Sequence, residues 1–120
     1  MRTFFKGFIY AFQGIYQMIR KERNARFHFL VFLLLVPLCL IYPLKEWELL
    51  LIILCVALVF AAEAFNSSIE RLANVAHPDR HPLIGEAKDM AAGAVLILAI
   101  ASASIGLIIF FPHFKVSLGL

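Results

Sequence analysis

Apolar positions fall into one mixed segment and three long runs. In residues 1–20, MRTFFKGFIYAFQGIYQMIR, the residues Phe4, Phe5, Phe8, Phe12, Ile15 and Ile19 recur at steps of three and four, the spacing of one helical face. Arg2, Lys6 and Arg20 fall off that face, where they reach headgroups, so the segment predicts an amphipathic helix lying on a membrane surface. A polar cluster, KERNARFH, follows, and then FLVFLLLVPLCLIYPL runs without charge to Leu44. A helix needs about 20 apolar residues to cross a bilayer, which predicts a first transmembrane helix over about residues 24–42, with Pro37 tolerated inside it. After a short turn holding Pro43, Lys45, Glu46 and Glu48, with Trp47 at interfacial depth, a second helix is predicted over about 47–73. The loop NVAHPDRHPLIGEA carries Pro78 and Pro82, which halt a helix, and Gly85, which closes the loop. A third helix is predicted over about 86–111. Ala99 and Ala103, then Ser102 and Gly106, keep a small-xxx-small spacing that lets membrane helices approach closely, so this helix is expected to pack centrally, within the chain or against other subunits.

Composition agrees with this pattern. Of 120 residues, 62% are hydrophobic and 16% charged, and mean hydropathy is +0.89. Soluble domains use about half apolar residues, so the chain reads as a single-domain, all-α membrane protein: a surface helix plus three spans. No cleavable leader is expected, because no small-residue cleavage site follows the first strongly apolar run. Cys39 and Cys55 sit inside apolar runs and read as buried small hydrophobes. Placement of charge says more than the net +3. Arg2, Lys6, Arg20, Lys21, Arg23 and Arg26 precede the first span, and Arg71, Arg80 and Lys88 flank the second loop, against Lys45 and Lys115 on the other side. The positive-inside rule then puts the amino terminus and second loop in the cytoplasm and the carboxyl terminus outside.

The stretch EAFNSSIE closes the second apolar run and carries Glu63, Asn66 and Glu70 at i, i+3 and i+7, on one helical face. A carboxylate in such a helix is costly without a partner or a wet cavity. Glu22, His81, Lys88 and Asp89 fall at the same membrane boundary. Glu22, Glu70 and Asp89, with Asn66, suit a hard divalent cation such as Mg²⁺, which takes oxygen ligands and shares its shell with phosphates. Lys88 suits phosphate charge. Glu63 lies deeper, where it suits a proton acceptor for a hydroxyl at the end of a lipid. These parts match phosphoryl transfer. No GxxxxGK[ST] loop, GxGxxG or protein-kinase catalytic loop is present, and no nucleic-acid partner is expected.

Each residue also has a plainer reading. Glu63 and Asn66 bond between helices in some oligomers. Glu22 among basic residues suits a surface ion pair. Lys88 and Asp89 suit a helix start with a snorkelling Lys. His81 reads as a loop residue, His28 and His77 carry no signal of their own, and Arg71 and Arg80 read as orientation charges. Two rival functions follow: a proton-coupled transporter titrating Glu63, and a non-catalytic subunit whose polar face locks an oligomer.

EAFNSSIE followed by AKDMAAGAV resembles the signature of the small prokaryotic integral-membrane diacylglycerol kinase family, which includes undecaprenol kinases. The resemblance covers nearly the whole chain, with both motifs in order. It implies a homotrimer of the bacterial cytoplasmic membrane with active sites shared between subunits, and ATP with Mg²⁺ as phosphoryl donor. It implies Glu63 as catalytic base, Glu22 and Glu70 as metal-binding acids that also contact the nucleotide, and Asn66 as a supporting residue. Lys88 and Asp89 match a nucleotide-contacting pair, His81 a histidine near the nucleotide, and Lys6 and Gly14 weaker amino-terminal positions. Thr3 and Glu86 depart from the proteobacterial diacylglycerol kinase pattern, whereas ERNARFH and RHPLIGEAKDMAAGAV are closer to the Gram-positive undecaprenol kinase branch. The implied lipid is therefore undecaprenol, with diacylglycerol the alternative.

Overall fold

The computed structural model describes residues 1–120 as four helices and no strand: α1 Arg2–Lys21, α2 Arg23–Ile41, α3 Glu46–Ala76 and α4 Pro82–Ser117. The last three are long and apolar enough to cross a membrane, so the protein is a multi-pass membrane protein. At 1.5 Å per residue, α3 with 31 residues and α4 with 36 extend well past a hydrocarbon layer about 30 Å thick. Their polar turns therefore stand in or beyond the headgroups.

The breaks between helices have local causes. Glu22 alone separates α1 from α2, with φ −97° and ψ 122°. Its N–H donates to the Met18 carbonyl at 2.9 Å and its own carbonyl accepts from Arg26 N–H at 3.1 Å, so one extended residue ends one helix and starts the next. Glu48 Oε2 accepts from the Lys45 N–H at 2.8 Å, satisfying an amide at the start of α3. Glu46, Trp47 and Glu48 thus form the first turn of α3 and not a connecting turn.

The helix after the second loop begins earlier than its sequence suggests. Pro82 was expected to halt a helix and instead occupies its first turn, where the missing N–H is not needed. His81 caps it by accepting the Leu83 N–H on Nδ1 at 3.2 Å. Gly85 lies inside α4, and the helix continues through Pro112 to Ser117.

Within the single chain the central helix is α3. Its backbone closely approaches α1, α2 and α4, whereas that of α4 closely approaches only α3. The buried positions of α3, among them Ile52, Val59, Ala62, Glu63 and Ser67, supply contact surface on more than one side. The small residues of α4 do not draw α2 in. Ala99, Ser102, Ala103 and Gly106 instead line a cavity of about 640 Å³ between α2, α3 and α4. Phe29 and Phe32 of α2 rest on Phe60 of α3, ring centroids 6.4 Å apart in each case. At the opposite end Tyr42 closes onto α4 through Phe110 and Phe114, at 6.4 and 5.4 Å. Cys39 and Cys55 are free and half-buried, less enclosed than their apolar surroundings predict. Only 12 of the 120 residues are buried, so the apolar exterior needs lipid or further subunits to cover it.

Candidate active site

The site is assembled at one end of the bundle by antiparallel pairing of α2 and α3. Moving forward along α2 from Glu22 through His28 to Phe32 moves backward along α3 from Arg71 through Glu63 to Phe60. The loop after α3 returns α4 to the same end. There Lys88 Nζ donates to Asn74 Oδ1 across the two helices.

Glu63 is 1% exposed and the largest fully enclosed side chain of the protein. Its Oε1 lies 2.8 Å from His28 Nδ1, so with the carboxylate ionised the ring donates from Nδ1. Ala25, His28 and Phe32 stand at steps of three and four on α2. Ala25 is fully buried, which lets α2 approach and brings His28 onto Glu63. His28 had no signal in the sequence read residue by residue. Its alignment with Ala25 and Phe32 on one face was the available clue.

Asn66, one helical face with Glu63 by spacing, is turned toward α4. It lines a second cavity of about 310 Å³ with Ala62, Phe65, Ala91 and Ala94. Glu70 is exposed on the outer part of α3. Arg71 beside it donates from Nη2 to Glu22 Oε1 at 3.1 Å, so Glu22 meets the turn of α3 that carries Glu70. Arg71 therefore makes a tertiary ion pair, a role its reading as an orientation charge did not contain. Lys88 is half-buried and held by Asn74, which sequence reasoning also passed over, and Asp89 is exposed. His81 caps α4 with its ring 5.2 Å from that of His77.

Glu22 and Glu70 offer carboxylate oxygens, the donor type of which a hard divalent cation commonly takes one or two, completing its shell with water and phosphate. No three acidic, imidazole or thiol groups of the chain gather tightly enough to hold a metal by themselves.

Comparison with known proteins gives a consistent family. The profile described as "Prokaryotic diacylglycerol kinase" matches residues 9–110. An undecaprenol kinase of Bacillus subtilis (strain 168) is 37% identical over 112 residues, covering 93% of this chain and 91% of the relative. A diacylglycerol kinase of Haemophilus influenzae is 33% identical over 103 residues, covering 85% and 87%. One of Synechocystis is 30% identical over 101 residues, covering 83% and 58%.

Proposed function

The chain belongs to the prokaryotic diacylglycerol kinase family and is a membrane lipid kinase; from that premise we propose that it phosphorylates undecaprenol, with ATP as donor and Mg²⁺ as cofactor. The observation that carries this reading is the cavity between α2, α3 and α4, whose polar side chains are His28 and Ser102 and whose His28 touches the enclosed Glu63. An apolar tail lying in it brings a terminal hydroxyl to the His28 end, next to Glu63. Seventeen of its 20 lining residues are hydrophobic. Undecaprenol presents a single hydroxyl on hydrocarbon, whereas diacylglycerol adds two ester groups that need polar partners when buried. The similar undecaprenol kinase supports the same choice.

In this mechanism Glu63 takes the proton of the lipid hydroxyl. The oxygen attacks the terminal phosphorus of ATP, the bond to the bridging oxygen breaks, and ADP leaves. Lys88 and Asp89 contact the nucleotide, His81 stands near it, and Asn66 supports the site from the α4 side. Glu22 and Glu70 would hold Mg²⁺, which when bound neutralises phosphate charge. Glu22 must then exchange the Arg71 guanidinium for metal.

The exposed positions of Glu70 and Asp89 and the scarcity of buried residues leave room for neighbouring subunits to complete the site, as in the homotrimer that the family resemblance implies. The excess of Lys and Arg at the site's end supports a cytoplasmic amino terminus.

The test is transfer from γ-labelled ATP in detergent micelles, with undecaprenol or diacylglycerol supplied separately and Mg²⁺ present or chelated. Mg²⁺-dependent label in undecaprenyl phosphate is expected. Label mainly in phosphatidic acid keeps the mechanism and overturns the substrate. Label in neither lipid overturns the proposal.

A further inference from the structure

His28 is the side chain through which the apolar cavity meets Glu63: it lines the cavity, and Glu63 does not. No buried side-chain polar atom of the protein lacks a partner, and Glu63 makes its hydrogen bond through Oε1. The trace of exposure left to Glu63 therefore falls on Oε2. A carboxylate pinned through one oxygen presents the other in a fixed direction, and a proton acceptor works only when held within hydrogen-bond reach of its proton.

We infer that His28 is the positioning residue of the proton acceptor. Its Nδ1–H holds Oε1 of Glu63, leaving Oε2 for the lipid hydroxyl, and its ring forms the polar end of the cavity that takes the lipid tail. This inference rests on the lipid kinase reading of the site. Its stereochemistry is specific to the ring nitrogen. Asn at position 28 places an amide N–H near the Nδ1 position, whereas Gln places its amide one bond further out, near Nε2.

The experiment compares the full-length protein carrying His28→Asn, His28→Gln or His28→Ala in micelles, measuring kcat and the KM for ATP and lipid. Asn is expected to keep kcat within about tenfold of the unmodified protein, while Gln and Ala lose about 100-fold, the scale on which removing one catalytic hydrogen-bond donor acts. The KM for ATP is expected to stay constant throughout. A packing role gives the opposite order, with the larger Gln tolerated better than Asn. Equal losses for Asn and Gln, or Gln above Asn, overturn the inference. ¹⁵N spectra of histidine-labelled protein give a second readout: His28 is expected to carry its proton on Nδ1, and a ring unprotonated there overturns the inference even where a variant fails to fold. Should the unmodified protein phosphorylate neither lipid, the functional reading and this inference fall together. An active protein without the Asn-over-Gln order removes this inference alone.

Discussion

Replacing Glu63 with Gln separates the chemistry of this carboxylate from its contribution to the fold. The two side chains have nearly the same shape, and the Gln carbonyl oxygen still accepts the His28 Nδ1–H that Oε1 accepts at 2.8 Å. A hydrogen bond to a charged group contributes about 1.5–3 kcal/mol and a neutral one about 0.5–1.5, so the exchange lowers stability by about 1 kcal/mol. Turnover behaves differently. An amide does not take the hydroxyl proton, and removing a general base slows catalysis by about 10²–10⁴, or about 3–5 kcal/mol of barrier. Because Glu63 is enclosed and Lys88 and Asp89 lie on a different helix, nucleotide binding is expected to persist. The assay pairs kcat from labelled-phosphate transfer with ATP affinity and thermal unfolding of the same preparation. A Glu63→Gln protein that unfolds normally and turns over at the unmodified rate refutes the assignment of Glu63 as proton acceptor. Such a result supports a purely structural polar contact between α2 and α3. Loss of ATP binding together with turnover also counts against it.

Three further outcomes follow from the geometry. Glu70→Gln is expected to move the Mg²⁺ titration of activity to higher concentration, and an unchanged curve removes Glu70 from the metal site. Arg71→Ala frees Glu22 from its 3.1 Å ion pair; a partly exposed pair contributes at most about 1 kcal/mol, so the half-saturating Mg²⁺ concentration should fall by up to about fivefold, and a rise contradicts competition for Glu22. Ala103→Phe builds bulk into the 640 Å³ cavity and is expected to raise the lipid KM about tenfold, or about 1.4 kcal/mol, while leaving the KM for ATP unchanged; an unchanged lipid KM removes the cavity as the tail site.

Phe4, Phe8 and Phe12 recur at helical spacing among basic residues, and three charge-free runs follow them. Hydrocarbon tolerates no unpaired backbone amides, so such runs read as helices without reference to tertiary structure. The i, i+3, i+7 spacing of Glu63, Asn66 and Glu70 was legible too, but the structure sets Glu63 against α2, turns Asn66 toward α4 and leaves Glu70 exposed. Helix limits were less legible. From sequence Pro82 reads as a stop, yet at a first turn no acceptor awaits the N–H that proline lacks.

By itself, then, the sequence determined the three spans and the helical, amphipathic first segment, because these depend on short-range periodicity and on the solvent each face requires. Only the tertiary structure decided which neighbour each face meets. The register of α2 against α3 is set by contacts such as Phe29 and Phe32 on Phe60, between residues far apart in the chain. That register puts His28 on Glu63 and Arg71 on Glu22. Periodicity fixes a direction around one helix axis and leaves the sliding of one helix along another to packing, which is why Glu63 stood out as a candidate and its contact with His28 did not.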